Sequence, residues 1–256
     1  MARSSNLASN VLGELKHVQA RQYPLYNAIL KHAFDTHQPV FAKSIFAKRY
    51  AELSDDGEWF ANQLVANSCL EGYGAQQIWN FSNKLDNDEY ARRVRQHALD
   101  ESRHSTMFIS MLNLVYPGLD LDQDTLSKID DMQPKFTPNQ HPDIAKVPEE
   151  ERFFELESIN ELVQVHITEI RALVLQYMVR DALLKHAPEE SHARLKKFSD
   201  SLIQDEAKHI NYSAEIFEDY ASRGNNKDFF YQMFEDRLCD FNELTKIELE
   251  REDIEL

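Results

Sequence analysis

Two cysteines, Cys69 and Cys239, are all the thiols in 256 residues, and they stand far apart in the chain. A disulfide framework needs more, so a reducing setting is expected, with the cytoplasm as the default compartment and both thiols simply buried. Glycine (6) and proline (8) are also scarce, which excludes a sheet-rich fold broken by many turns. No run of about 18 apolar residues occurs, which excludes a membrane-spanning helix. Met1 to Asn10 is polar and lacks the apolar stretch of a signal peptide. Positive charge is in short supply too. A net charge of -16 repels phosphate backbones and anionic lipid, so neither nucleic acid nor a membrane is an expected partner. The basic stretch Arg194 to Lys197 is too short to change that, and four acids in the last eight residues read as a solvated helix end.

What remains favours helix. Apolar residues make up 42% of the chain, enough for a sizeable core, and Lys, Glu, Leu and Ala recur throughout. Helical periodicity starts near Val11 and runs past Leu30, and a second stretch covers about Pro39 to Leu53. Asp55 with Glu58 reads as a capping box opening a helix to about Leu85, and Asp86 with Glu89 repeats the signal for a helix to Tyr116. Residues 117 to 149 break the pattern. After Pro117, four more prolines (Pro134, Pro138, Pro142, Pro148) fall there, with one short helical turn around Leu126 to Met132, as a long crossover between bundle helices would require. Long helices follow at about Glu150 to His186 and Glu190 to Ser222, parted at Ala187-Pro188. A last segment from Asp228 carries Phe230, Phe234, Leu238, Phe241 and Leu244 at helical spacing; such a docking face would also suit a homodimer. The fold class expected is all-α: one domain over 1–256 with core helices at about 57–85, 86–116, 150–186 and 190–222, and extra helices at both ends.

Glu-x-x-His on a helix puts both side chains on one face, able to grip one ion. The chain has four such pairs: Glu14/His17, Glu101/His104, Glu189/His192 and Glu206/His209. Glu189/His192 sits at a helix start and Glu14/His17 has no second pair nearby, so both read as surface residues. The other two continue apolar stripes. Val94, Ala98, Phe108 and Met111 flank one; Leu195, Leu202, Ile210 and Phe217 flank the other. A carboxylate on a core-facing stripe is costly unless a metal compensates its desolvation. Each pair follows an Asp, Asp100 or Asp205, placed to accept from the imidazole nitrogen not on the metal. Arg103 and Lys208 could neutralise those acids across the pair of helices.

Each pair also has a carboxylate on the helix before it. The midpoint of Glu71 and Glu101 is residue 86, inside the first turn; that of Glu169 and Glu206 falls at 187–188, inside the second. Residues equidistant from a hairpin turn stand level. The competing Glu161 centres near Leu183, inside a strong helix, and fails. Gly72 and Gly74 beside Glu71 cost up to about 1 kcal/mol each within a helix; they leave space beside the metals or mark a close helix contact. His166, one turn before Glu169, is either an added ligand or a packed, supporting histidine. Four carboxylates and two imidazoles suit two divalent ions, iron or a manganese–iron pair, and the lack of thiolates argues against structural zinc.

The order Glu71, Glu101-x-x-His104, Glu169, Glu206-x-x-His209 resembles the ferritin-like diiron-carboxylate superfamily, over about residues 57–116 and 150–222. Asp100 to His104, and the second copy with Lys208 in place of Arg, are similar to bacterial multicomponent monooxygenases and acyl-carrier desaturases. Gln204 to His209 and Glu169-Ile170-Arg171 resemble the ribonucleotide reductase small subunit. Two positions depart: Phe108 stands where the reductase carries its radical tyrosine, and Leu202 where the N-oxygenase branch adds a histidine. The resemblance implies a ferritin-like four-helix bundle whose six Glu and His ligands hold two iron ions. It implies O2-dependent oxidation of a small organic metabolite, with an external electron donor. Ferroxidase or iron storage, a radical-generating small subunit and a metal-free interaction module are the alternatives.

Overall fold

A computed structural model describes residues 23–136 and 147–248. Met1 to Asn10, the pair Glu14/His17, Pro138, Pro142 and the acidic last eight residues lie outside them. The described chain is all-α, with no strand among the described residues. Its helices are α1 (Pro24–His37), α2 (Ser44–Leu53), α3 (Gly57–Lys84), α4 (Asp88–Val115), α5 (Gln123–Met132), α6 (Glu155–His186), α7 (His192–Ser222) and α8 (Asn226–Glu248). None of them is long and apolar enough to cross a membrane.

Contacts gather the chain into two compact units. The first comprises Met1–Leu53, Ile159–Val179 and Ile203–Leu256; the second comprises Ser54–Ser158 and Arg180–Leu202.

In the second unit α3 and α4 form a hairpin. Each opens on a residue whose carboxylate or amide oxygen accepts from two exposed amides: Asp56 from Glu58 and Trp59, Asn87 from Glu89 and Tyr90. The caps fall one residue later than the sequence suggests, and the preceding acids pair with cations, Asp55 with Lys185 and Asp86 with Arg152 at 3.3 Å. Small residues let the hairpin close tightly. Ser68 donates to the Ser105 carbonyl at 2.9 Å, and Ser105 donates to that of Ser68 at 2.7 Å.

The connection after α4 follows α3. Gln133 at the end of α5 donates to Ser105 Oγ, the Lys135 amide donates to Gln76, and Phe136 stacks on Trp79 at 4.2 Å. Farther along, Val147 and Phe153 donate to the carbonyls of Asn83 and Lys84. Phe153 also makes a parallel bridge with Leu85. That pairing holds the backbone extended just before α6, which is why α6 starts at Glu155 and not near Glu150; residues 149–151 form only a 3-10 turn.

In the first unit α1 begins at Pro24, whose fixed φ suits a first helical position. Its N-cap Tyr23 offers no side-chain cap, and the Glu218 carboxylate of α7 takes the Tyr26 amide instead, at 2.9 Å. The chain leaves α1 through Gln38 in the left-handed region, φ 42°. Asn242 of α8 holds this corner, accepting from the Val40 amide at 2.8 Å and donating to the His37 carbonyl at 3.0 Å. The docking face expected of the last helix packs inside this unit: Phe230, Phe234 and Leu238 are fully buried and Phe241 nearly so, whereas Leu244 is exposed.

Candidate metal centre

The hairpin arithmetic for α3 and α4 can be read directly in the structure. Glu71, Glu101 and His104 bring one ligand atom each within 4.8 Å of one another. Glu71 is half-buried; Glu101 and His104 are buried. Helical spacing sets this up, since 101 and 104 share a face of α4 and residue 71 stands level with them on α3. Their neighbours Leu64, Ala75, Ile78, Val94, Ala98, Phe108 and Met111 are all buried, so the polar trio lies on an apolar stripe.

The first unit carries the second set. His209 Nδ1 lies 3.3 Å from Glu169 Oε2 and 3.7 Å from Glu206 Oε2. All three are at most 5% exposed, among Leu162, Leu173, Ile210 and Phe217. Glu169 on α6 thus meets His209 on α7, three residues beyond Glu206, the position that the Ala187-Pro188 break sets level with it.

The acids that precede the two pairs each meet a base on their own helix. Asp100 is half-buried, and its carboxylate lies 3.3 Å from Arg103, which also donates to Ser201. Asp205 is buried and accepts from Lys208 at 2.8 Å. Both bonds are i,i+3 pairs. They hold a negative charge beside each motif while the cation stays in solvent.

His166 is fully buried and both ring nitrogens are engaged by protein. Ser213 settles its tautomer. Its hydroxyl donates to the carbonyls of His209 (2.7 Å) and Ile210 (3.1 Å), so toward His166 Nδ1, at 2.6 Å, it accepts. Nδ1 therefore carries the proton, and Nε2 accepts from the Tyr26 hydroxyl at 2.8 Å. A chain of hydrogen bonds thus runs from Tyr26 through His166 and Ser213 to the backbone of His209. Phe217 and Phe234 pack edge-on against the ring. Burial pushes His166 down to about 3, against a smaller opposing pull from Glu169, so the ring stays neutral. Of the two sequence readings, the supporting histidine is the one this geometry gives.

His97 was missed by the sequence reading. It is 1% exposed on α4, and its Nε2 lies 3.1 Å from the Glu101 oxygen that His104 Nδ1 approaches to 3.5 Å. The signal was present as a histidine four residues before the motif Glu, on the same helix face.

The remaining candidates lie elsewhere. Glu189 is exposed, and His192 sits 3.2 Å from the Ala187 carbonyl as part of the turn. A Cβ on Gly72 would meet the Met132 carbonyl oxygen at 2.6 Å, so that glycine serves the close approach of α5's end; nothing lies within 4 Å of one on Gly74. Cys69 and Cys239 are free and half-buried, less buried than their sequence context suggests. Burial is the main cause holding each thiol above its ordinary range.

The chemistry of the donors can be tested against a metal. Two ligand atoms each about 2.1 Å from a common ion stand about 3.0 Å apart at a right angle and about 3.4 Å apart at the tetrahedral angle. The separations of 3.1, 3.5, 3.3 and 3.7 Å around Glu101 and His209 lie at or slightly above those values. Histidines and glutamates that could hold a metal ion are thus present: the half-buried Glu71 with the buried Glu101 and His104, and among the candidate donors also the buried His97, Glu169 and His209. Comparison with models of known protein families, with curated proteins and with solved structures found no match.

Proposed function

We propose that this chain is a non-heme diiron oxidase or oxygenase that uses O2 to oxidise a small organic metabolite, on a ferritin-like core of α3, α4, α6 and α7. Glu71, Glu101 and His104 would hold iron from one hairpin, and Glu169, Glu206 and His209 from the other. Carrying this reading is the burial of carboxylates and imidazoles at ligand-like separations within each hairpin: Glu71, Glu101 and His104 within 4.8 Å, and Glu169 3.3 Å from His209. Buried carboxylates without a counter-charge cost several kcal/mol each. Four of them balance two divalent ions, and a set of oxygens and imidazoles without thiolate suits iron or manganese.

When bound, the two metals supply electrons for O2 reduction and an oxidant able to take hydrogen from an unactivated bond. The protein's own groups do the rest. Asp205, paired with Lys208, keeps a negative charge beside Glu206 and His209. The neutral His166 fixes the turn that carries His209 through Ser213, and Phe217 and Phe234 wall that side with apolar surface. A substrate would come as a small molecule, and an external donor would return the electrons.

Anaerobic loading with ferrous iron, then exposure to O2, tests the proposal. An oxygenase binds about two irons per chain and needs reductant to turn over; a ferroxidase oxidises many irons per chain; an interaction module stays colourless. Glu206→Ala and His104→Ala should abolish stoichiometric uptake, while Glu14→Ala and Glu189→Ala should not. Equal uptake by all four variants would defeat the assignment.

A further inference from the structure

The dinuclear reading counts one imidazole per hairpin, but α4 carries two. His97, Glu101 and His104 follow one another at spacings of four and three residues, a single stripe along one helix face. All three are buried, at 1%, 5% and 0% exposure. Both rings aim a nitrogen at the same oxygen, Glu101 Oε1, His97 Nε2 from 3.1 Å and His104 Nδ1 from 3.5 Å. We propose that His97 is a third imidazole ligand, bound to an ion that Glu101 also holds. This assignment rests on the dinuclear reading above and alters its ligand count.

The 3.1 Å separation suits a hydrogen bond and equally two donors on one ion near a right angle, about 3.0 Å apart. What favours ligation over a hydrogen bond that merely steadies Glu101 is the company it keeps. A second ring, His104, reaches for that same carboxylate oxygen from one turn away, and the Glu71 carboxylate stands within 4.8 Å of Glu101 and His104, so imidazoles and carboxylates converge as the donors of a divalent ion do. The consequence is chemical. A neutral imidazole leaves the charge balance of four carboxylates and two divalent ions unchanged but fills one further position on its ion. The two ions would then be unlike, with exogenous ligands directed to the one holding fewer protein donors.

The proton NMR spectrum of the full chain loaded with cobalt(II) tests this. Each ligating histidine retains one N–H, which the paramagnetic ion shifts far outside the ordinary window and which disappears in D2O. Three such signals are expected, from His97, His104 and His209, and His97→Gln, which keeps a hydrogen-bond donor, should retain cobalt and show two. Two signals in the unaltered protein would overturn the assignment while leaving the dinuclear reading in place, and that count holds even if the variant fails to fold. Failure of the unaltered chain to take up cobalt would overturn both.

Discussion

At the scale of single residues, the buried triad of Tyr26, His166 and Ser213 carries the sharpest expectations. Tyr26→Phe keeps the ring that stacks on Phe217 but removes the donor to His166 Nε2, leaving a buried acceptor unmet. A loss of about 1–3 kcal/mol is expected, read from urea unfolding of the metal-free chain. His166 also makes stability depend on pH. Its unfolded ring titrates near pH 6.5, whereas burial holds the folded ring down at about 3. Between those values the unfolded chain takes up a proton that the folded chain refuses. Stability from this site is therefore complete above about pH 6.5 and falls as pH drops toward 3, by about 1.4 kcal/mol per unit. A series of unfolding midpoints from about pH 7 to 4 should be flatter for His166→Gln than for the unaltered chain. Equal slopes would show that the ring is not held neutral in this way.

Among the elements, α3 offers an internal comparison. Gly72→Ala drives a Cβ into the Met132 carbonyl, a backbone atom that cannot swing aside, and should cost about 1–3 kcal/mol. Gly74→Ala, two residues on and unobstructed, should add about 0.5–1 kcal/mol by removing a glycine from a helix interior. Thermal unfolding of the two variants should move in opposite directions. The same helix marks how far the sequence could be read. Its span, its partner α4 and the turn between them follow from apolar spacing and capping residues, to within a residue or two. The fate of Gly72 does not follow, because it depends on α5 meeting α3 from sixty residues away. The late start of α6 is similar: only the tertiary pairing of Phe153 with Leu85 draws that backbone out of a helix. The six residues from spacing occupy buried or half-buried places in their hairpins. His97 escaped because a histidine on an apolar face is ordinary until a carboxylate is seen 3.1 Å away.

For the molecule as a whole, metal should act as a stabiliser. Acids buried within a hairpin cost free energy unless their charge is balanced, and an ion that binds only the folded chain shifts the balance by mass action, about 2.7 kcal/mol at a hundredfold excess over its Kd. Ferrous iron added without oxygen should raise the melting temperature, a chelator should reverse the gain, and Glu206→Ala should abolish it. The division into two units has a separate consequence, for order of assembly. The second unit is finished once Leu202 has been made, whereas the first joins its amino-terminal stretch to segments beginning at Ile159 and Ile203. During synthesis, α1 must therefore wait for Glu218 to accept from the Tyr26 amide and for Asn242 to lock its exit. Until then the apolar faces of residues 23–53 have no lasting home. A stalled ribosome would leave that early segment, rather than the newest residues, as the part a chaperone has to shield.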